Sequence, residues 1–187
     1  MSARYCPASP LGWDAAPPPS LPVLYKAWLA RPGALTDGLR SLGAFQLRVL
    51  AEHAAGAPAD EAHGMRLAPG TPVWVREIAM SINGVDAVVA RSLTPLRASH
   101  GVWQGMRRLR TRPLADMLYH DPAIQRSPFA SARLKRPLAL YRTLTRLAAE
   151  YADQALWARR SVFWRSGEPL LVAECFVPEF WRDILGS

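Results

Sequence analysis

Apolar and polar residues alternate with a period of two on both sides of Asn83-Gly84, within the stretch 74–95. Asn-Gly is the dipeptide most favoured in the two-residue type I′ turn that joins antiparallel strands. The pattern therefore predicts a β-hairpin. Counting outward from the turn places Arg76 opposite Arg91, with both side chains on the apolar face of the hairpin.

Two arginines facing each other across a strand pair repel each other. An anion between them would relieve this repulsion, and the planar guanidinium group binds a carboxylate through two parallel hydrogen bonds. Arg76 and Arg91 therefore predict a pocket for a small molecule with more than one carboxylate. The alternative is that each arginine forms a salt bridge with a carboxylate of the protein, as such arginines commonly do.

Other parts of the chain have helical spacing. Apolar residues recur at helical intervals in 21–30, in 35–42 and, over the longest span, in 137–156. Pro113 suits the first position of a further short helix, whose first amides would be free to meet an anion. Helices mixed with antiparallel hairpins are typical of an α+β domain.

The composition favours a single globular domain without a membrane span. Residues 1–22 are rich in Pro and Ala and are predicted to be a disordered tail, followed by one domain over 23–187. No apolar run approaches the roughly 20 residues that a transmembrane helix needs, and the N-terminus has no signal-peptide h-region. We therefore expect a cytoplasmic protein.

The charged residues do not indicate nucleic-acid binding, although the net charge is +8. The densest basic run, 106–112, contains no aromatic residue and no nucleic-acid motif. Neither Cys6 nor Cys175 has a Cys or His at ligand spacing, and the histidines show no metal-binding spacing either. We therefore expect no nucleic-acid partner and no metal.

A second hairpin is predicted around Ser166-Gly167, and its register places Arg159 opposite Glu174. A turn at Gly167-Glu168 would instead place Ser161 opposite Glu174. In both registers Glu174 lies on the same apolar sheet face as Leu170 and Val172. A carboxylate there is either paired, exposed at an edge, or buried for a purpose.

The chain resembles the chorismate pyruvate-lyase family in a series of separated segments. They read WVREI and ARSLTP in the first hairpin, RPLADML after it, and LWARRS and SGEPLLVAECFVP in the second hairpin. The resemblance implies an α+β fold with a largely antiparallel sheet of about six strands and two helical flaps that enclose a buried pocket. It also implies a monomer.

The resemblance implies an enzyme that converts chorismate to 4-hydroxybenzoate and pyruvate without a cofactor, the step that commits chorismate to ubiquinone. Arg76 would bind the ring carboxylate together with the backbone amides of Leu114 and Leu35, and Glu174 would meet the oxygen at ring position 4. Many relatives have Met at position 35. Arg91 matches an arginine of the family and, from the register above, is a candidate for the enolpyruvyl carboxylate. A buried product site also suggests product inhibition.

Two questions remain open from the sequence. Glu174 could donate a proton to the departing ether oxygen, or it could only orient the substrate during an intramolecular hydrogen transfer. A non-catalytic module of the same fold that binds small carboxylates is the alternative function. The Pro-rich tail and the long segment 135–154 depart from compact relatives and have no assigned role.

Overall fold

The computed structural model describes residues 11–185, which form one antiparallel sheet with helices on both of its faces. The strands are β1 (Phe45–Gly56), β2 (Pro72–Ile82), β3 (Val85–Pro95), β4 (Gln125–Arg126), β5 (Ala130–Arg133), β6 (Trp157–Arg165) and β7 (Glu168–Phe176). The helices are α1 (Val23–Leu29), α2 (Leu35–Arg40), α3 (Ala59–Gly64), α4 (Ala115–Leu118), α5 (Ala139–Leu147) and α6 (Pro178–Leu185).

The strands are arranged in the order β1-β2-β3-β7-β6-β4, and β5 also pairs with β6. Each of these pairings is antiparallel. The predicted α+β class with a largely antiparallel sheet is confirmed. The sheet has seven strands within the described residues, where the sequence led us to expect about six.

The first hairpin has the predicted turn but not the predicted register. Asn83 and Gly84 have φ angles of 52° and 83°, which suit a type I′ turn. Ser81 pairs with Asp86, but Met80 pairs with Val88, so Ala87 is an extra residue in β3. This β-bulge moves every later residue of β3 to the other face of the sheet, relative to the simple count.

The predicted pairing of Arg76 with Arg91 is therefore wrong. Arg76 pairs with Ser92, and Arg91 pairs with Glu77. Because successive residues of a strand point to opposite faces, Arg76 and Arg91 lie on opposite sides of the sheet.

The second hairpin has the predicted register. Ser166 and Gly167 have φ angles of 50° and 76°, and β6 and β7 pair without a bulge, so Arg159 lies opposite Glu174. The alternative turn at Gly167-Glu168 does not form.

The two faces of the sheet support different structures. One face packs under α5 in a continuous apolar core that includes Val75, Leu93 and Leu171. The other face carries two separate apolar clusters. The first joins Ile78 and Met80 to α1, α2 and α6, and the second joins Phe163 and Leu170 to the segment 98–118. A cleft can therefore form on this second face, where the two clusters meet.

The N-terminal segment differs from the expected disordered tail. Residues 1–10 lie outside the described part of the chain. Trp13 is 4% exposed and belongs to the core under α5, and Asp14 forms a β-bridge with Ser131. Trp13 and Asp14 therefore contact the domain, although the sequence places them in the tail.

Candidate functional site

A cavity of about 50 Å³ lies between the sheet and two covering segments. Ile78, Ala90 and Val172 form its floor on the sheet. Leu35 and Thr36 of α2 and residues 113–119 around α4 form its cover. The lining is mostly apolar, with a few polar side chains: Thr36, Ser92, Tyr119, Arg159, Ser161 and Glu174. A mostly apolar cleft with a few convergent polar groups is the usual form of a small-molecule site.

Arg76 pairs with Ser92, which lines this cavity, and lies on the same sheet face as Ile78; it is 1% exposed. Its Nε donates to Glu52 Oε1 over 3.1 Å, and its Nη2 donates to the carbonyl oxygens of Arg110 (2.7 Å) and Arg112 (3.2 Å). Its Nη1 is buried and has no hydrogen-bond partner among residues 11–185. An unsatisfied donor on a buried cation is costly, so this atom favours an anionic ligand.

Burial lowers the pKa of the Arg76 guanidinium, and the Glu52 carboxylate acts in the opposite direction. The side chain of Glu52 is 27% exposed, so its charge is partly screened by solvent. The positive charge of Arg76 is therefore only partly compensated within the described structure.

The segment that contains Leu114 is fixed by Arg76 itself. The carbonyls of Arg110 and Arg112 accept hydrogen bonds from Nη2, which holds this segment close to the guanidinium. Leu114 directly precedes α4, and its amide makes no hydrogen bond to any described residue. Leu35 is the first residue of α2, and its amide is likewise not bonded within the described chain. Both residues line the cavity.

Glu174 lines the cavity on β7 and forms an ion pair with Arg159 on β6. Arg159 Nε donates to Glu174 Oε2 over 2.7 Å. Glu174 is thus not simply surrounded by apolar side chains: the strand next to it supplies a buried cation. With Oε2 engaged, Oε1 is the oxygen that can accept a hydrogen bond from a ligand.

Arg91 does not belong to the cavity. On the opposite face its Nε donates to Glu61 Oε1 over 2.7 Å, and its Nη1 donates to Glu77 Oε1 over 2.6 Å. Burial acts to lower the pKa of Arg91, but the Glu61 and Glu77 carboxylates outweigh it, and the pKa is raised. The proposed contact of Arg91 with a substrate carboxylate is wrong, because the bulge at Ala87 turns this side chain away and two carboxylates neutralise it.

Several cavity residues were not identified from the sequence as ligand-binding candidates. Ser161 and Arg159 share a face with Glu174 in the correct register of the second hairpin, so their alternation with it was a usable signal. Ser92 reaches the cavity only because of the bulge. Tyr119 is brought there by the fold of the segment after Pro113, for which the sequence offers no comparable pattern.

Within the described residues, no group of three or more His, Cys, Asp or Glu side chains is arranged to hold a metal ion. Nor is any helix in this part of the chain long and apolar enough to cross a membrane.

The fold is similar to that of two solved bacterial domains. The effector domain of PhnF from Mycobacterium smegmatis matches with a TM-score of 0.54 and 13% identity, over 79% of this chain and 90% of that domain. The ligand-binding domain of a GntR-family transcriptional regulator from Bordetella bronchiseptica matches with a TM-score of 0.50 and 13% identity, over 72% and 86% of the two chains. At these identities the likeness concerns the fold alone.

Curated relatives are much closer in sequence. A protein of Bordetella pertussis named "Probable chorismate pyruvate-lyase" is 66% identical over 91% of this chain and 90% of that protein. A protein of the same name from Bordetella avium is 59% identical over 98% and 92% of the two chains. The family model described as chorismate lyase matches residues 12–184, which include the whole sheet and both segments that cover the cavity. The chain belongs to the chorismate lyase family.

Proposed function

We propose that the protein converts chorismate to 4-hydroxybenzoate and pyruvate. The observation that carries this proposal is the buried Nη1 of Arg76, which has no partner among the described residues and lies on the same sheet face as a mostly apolar cavity lined by Glu174. Chorismate has a ring carboxylate for the first group and a hydroxyl at the opposite ring position for the second.

The spacing of the two groups supports a ring between them. Arg76 lies on β2 and Glu174 on β7, with only β3 between these strands. Two strand spacings correspond to about 10 Å between the backbones. Both residues lie on the sheet face that carries the cavity, and a benzene ring with a hydrogen-bonded carboxylate and oxygen at opposite ends is of this length.

Arg76 binds the ring carboxylate in this proposal, and the amides of Leu114 and Leu35 add hydrogen bonds to it. The contact through position 35 uses backbone atoms, so Leu serves as well as Met. Glu174 accepts a hydrogen bond from the hydroxyl at position 4. These contacts hold the substrate in one orientation within a site that excludes water, which is a large part of what such a reaction needs.

The reaction breaks the ether bond between ring position 3 and the enolpyruvyl oxygen. The hydrogen at position 4 leaves the ring, the methylene carbon of the side chain gains one, and the products are an aromatic ring and pyruvate. Aromatisation provides the driving force, and the overall change requires no oxidant or reductant. The ion pair with Arg159 supports Glu174 as an orienting acceptor, and proton donation by Glu174 is the competing mechanism.

The two segments that cover the cavity form the flaps of this proposal. Tyr119 Oη, after α4, donates to the carbonyl oxygen of Gly33, before α2, over 2.9 Å. The cavity has room for only a few water molecules, so this cover must open to admit chorismate. Slow opening would delay product release and cause product inhibition. We also infer that the enzyme acts in the cytoplasm, as a monomer, in ubiquinone synthesis.

The test is to incubate the purified protein with chorismate and a chelator. Chromatography should detect 4-hydroxybenzoate, and a coupled assay with lactate dehydrogenase should detect an equal amount of pyruvate. Binding of 4-hydroxybenzoate without any turnover of chorismate above the spontaneous rate would instead support the alternative function, a non-catalytic carboxylate-binding module.

A further inference from the structure

Arg159 is a buried cation in the wall of the cavity, and two of its three nitrogens are engaged. Nε donates to Glu174 Oε2, and Nη1 donates to the carbonyl oxygens of Trp28 (3.2 Å) and Arg31 (3.0 Å). Nη2 makes no hydrogen bond to any residue from 11 to 185. The side chain therefore has one free donor group at a site that can accommodate a ligand.

The charges around the cavity leave one substrate group without a partner. Chorismate carries two carboxylates, and the proposed function uses Arg76 for the one on the ring. Arg91 is neutralised on the opposite face of the sheet. Among the described residues that line the cavity, Arg159 alone is cationic.

The position of Arg159 matches the position of the second carboxylate. Ring positions 3 and 4 are adjacent. The enolpyruvyl group at position 3 therefore lies next to the hydroxyl at position 4, which donates a hydrogen bond to Glu174. Glu174 has two neighbours across the sheet: Ala90 on β3, which carries no polar group, and Arg159 on β6. The hydroxyl of Ser161 lines the cavity on the same strand.

We propose that Arg159 binds the enolpyruvyl carboxylate of chorismate through Nη2, while its Nε holds Glu174 in place. This inference rests on the proposed function. The two carbonyls at Nη1 and the carboxylate at Nε fix the guanidinium plane before the substrate binds. Such preorganisation lowers the entropic cost of forming the new contact. A lysine carries its three donors on one nitrogen and lacks the planar fork, so Arg159→Lys should be a poor replacement.

The first experiment compares chorismate with 4-hydroxybenzoate, which lacks the second carboxylate. For Arg159→Gln we expect kcat/KM for chorismate to fall by about 100-fold or more, while the Kd for 4-hydroxybenzoate changes by about tenfold or less. If Arg159 acts only by positioning Glu174, kcat/KM for chorismate and the affinity for 4-hydroxybenzoate should fall by the same factor. That result would overturn the proposal. Arg160→Gln is the matched control, because the Arg160 side chain contacts Trp13 and the Asp60 carbonyl on the other face.

The second experiment uses the unaltered protein, so it stands even if Arg159 variants fail to fold. The probe is 3-(1-carboxyvinyloxy)benzoate, an aromatic diacid, compared with its monomethyl ester at the side-chain carboxylate. We expect the diacid to bind at least about tenfold more tightly than the ester, and Arg159→Lys to reduce this difference. Equal affinity of the two compounds would contradict the proposal. This experiment measures binding and not turnover. A negative result here can therefore be distinguished from a failure of the proposed function, which would appear as an absence of chorismate turnover.

Discussion

Two buried arginines on neighbouring strands have different surroundings, and these decide what each can do. Arg91 donates to Glu61 and Glu77, so its charge is matched within the protein. Arg76 has one partly exposed carboxylate, Glu52, and an Nη1 without a partner among the described residues. The first arrangement stabilises the fold and the second favours a bound anion.

Exchanging each arginine for glutamine should separate these roles. We expect Arg76→Gln to weaken 4-hydroxybenzoate binding by about 100-fold or more, as expected when a buried charge partner is lost. Arg91→Gln should instead lower the free energy of unfolding by about 3–5 kcal/mol, because the buried Glu61 loses the cation to which it is hydrogen-bonded and Glu77 keeps only Arg146. Calorimetric titration and urea unfolding of both variants test this. Loss of binding in Arg91→Gln without loss of stability would contradict the assignment.

Glu174 offers a test of mechanism at the same scale. If it orients the substrate as a hydrogen-bond acceptor, Glu174→Gln should keep kcat within about 100-fold of the unaltered enzyme, and the pH dependence of kcat should not change. General-acid catalysis contributes about 10²–10⁴-fold, so a larger loss together with a missing limb in the pH profile would identify proton donation.

At the scale of elements, the turns could be predicted from sequence and the bulge could not. Asn83-Gly84 and Ser166-Gly167 fix both hairpin turns through local backbone preferences. The extra residue Ala87 has no local signal, because a bulge depends on how β3 pairs with β2 on one side and β7 on the other. The bulge leaves Arg76 and Glu174 on the sheet face that carries the cavity and places Arg91 on the opposite face.

The cover of the cavity is the other feature at this scale. Tyr119→Phe removes the hydrogen bond to the Gly33 carbonyl that joins the two covering segments. A typical hydrogen bond contributes about 0.5–1.5 kcal/mol, so we expect product affinity to fall by about two- to tenfold and product inhibition to weaken. Tyr141→Phe is the control, since Tyr141 Oη bonds to the Ala152 carbonyl away from the cavity. Equal effects of Tyr119→Phe and Tyr141→Phe on product affinity would argue against a role of the Tyr119 hydrogen bond in holding the cover closed.

At the scale of the whole molecule, one sheet face builds the core and the other builds the site. The continuous apolar cluster under α5 stabilises the sheet, while the gap between the two smaller clusters on the opposite face forms the cavity. The apolar composition of the strands predicted a core, but the division of the second face arises from the tertiary packing of α1, α2, α6 and the segment 98–118.

The net charge of +8 also acts over the whole molecule. Arg108, Arg110 and Arg112 are exposed on the segment that leads to the cavity cover. We expect them to attract a doubly negative substrate, so kcat/KM for chorismate should fall as ionic strength rises, while kcat stays nearly constant. Steady-state kinetics over a salt series check this. A kcat/KM that does not respond to salt would exclude electrostatic steering.

The most direct test of the proposed binding mode is a crystal structure of the protein with 4-hydroxybenzoate. We expect the carboxylate at Arg76 Nη1, with the amides of Leu114 and Leu35 beside it, and the phenol oxygen at Glu174. Two results would contradict this binding mode: a product bound in the reverse orientation, with its carboxylate at Arg159, or a product bound outside this cavity.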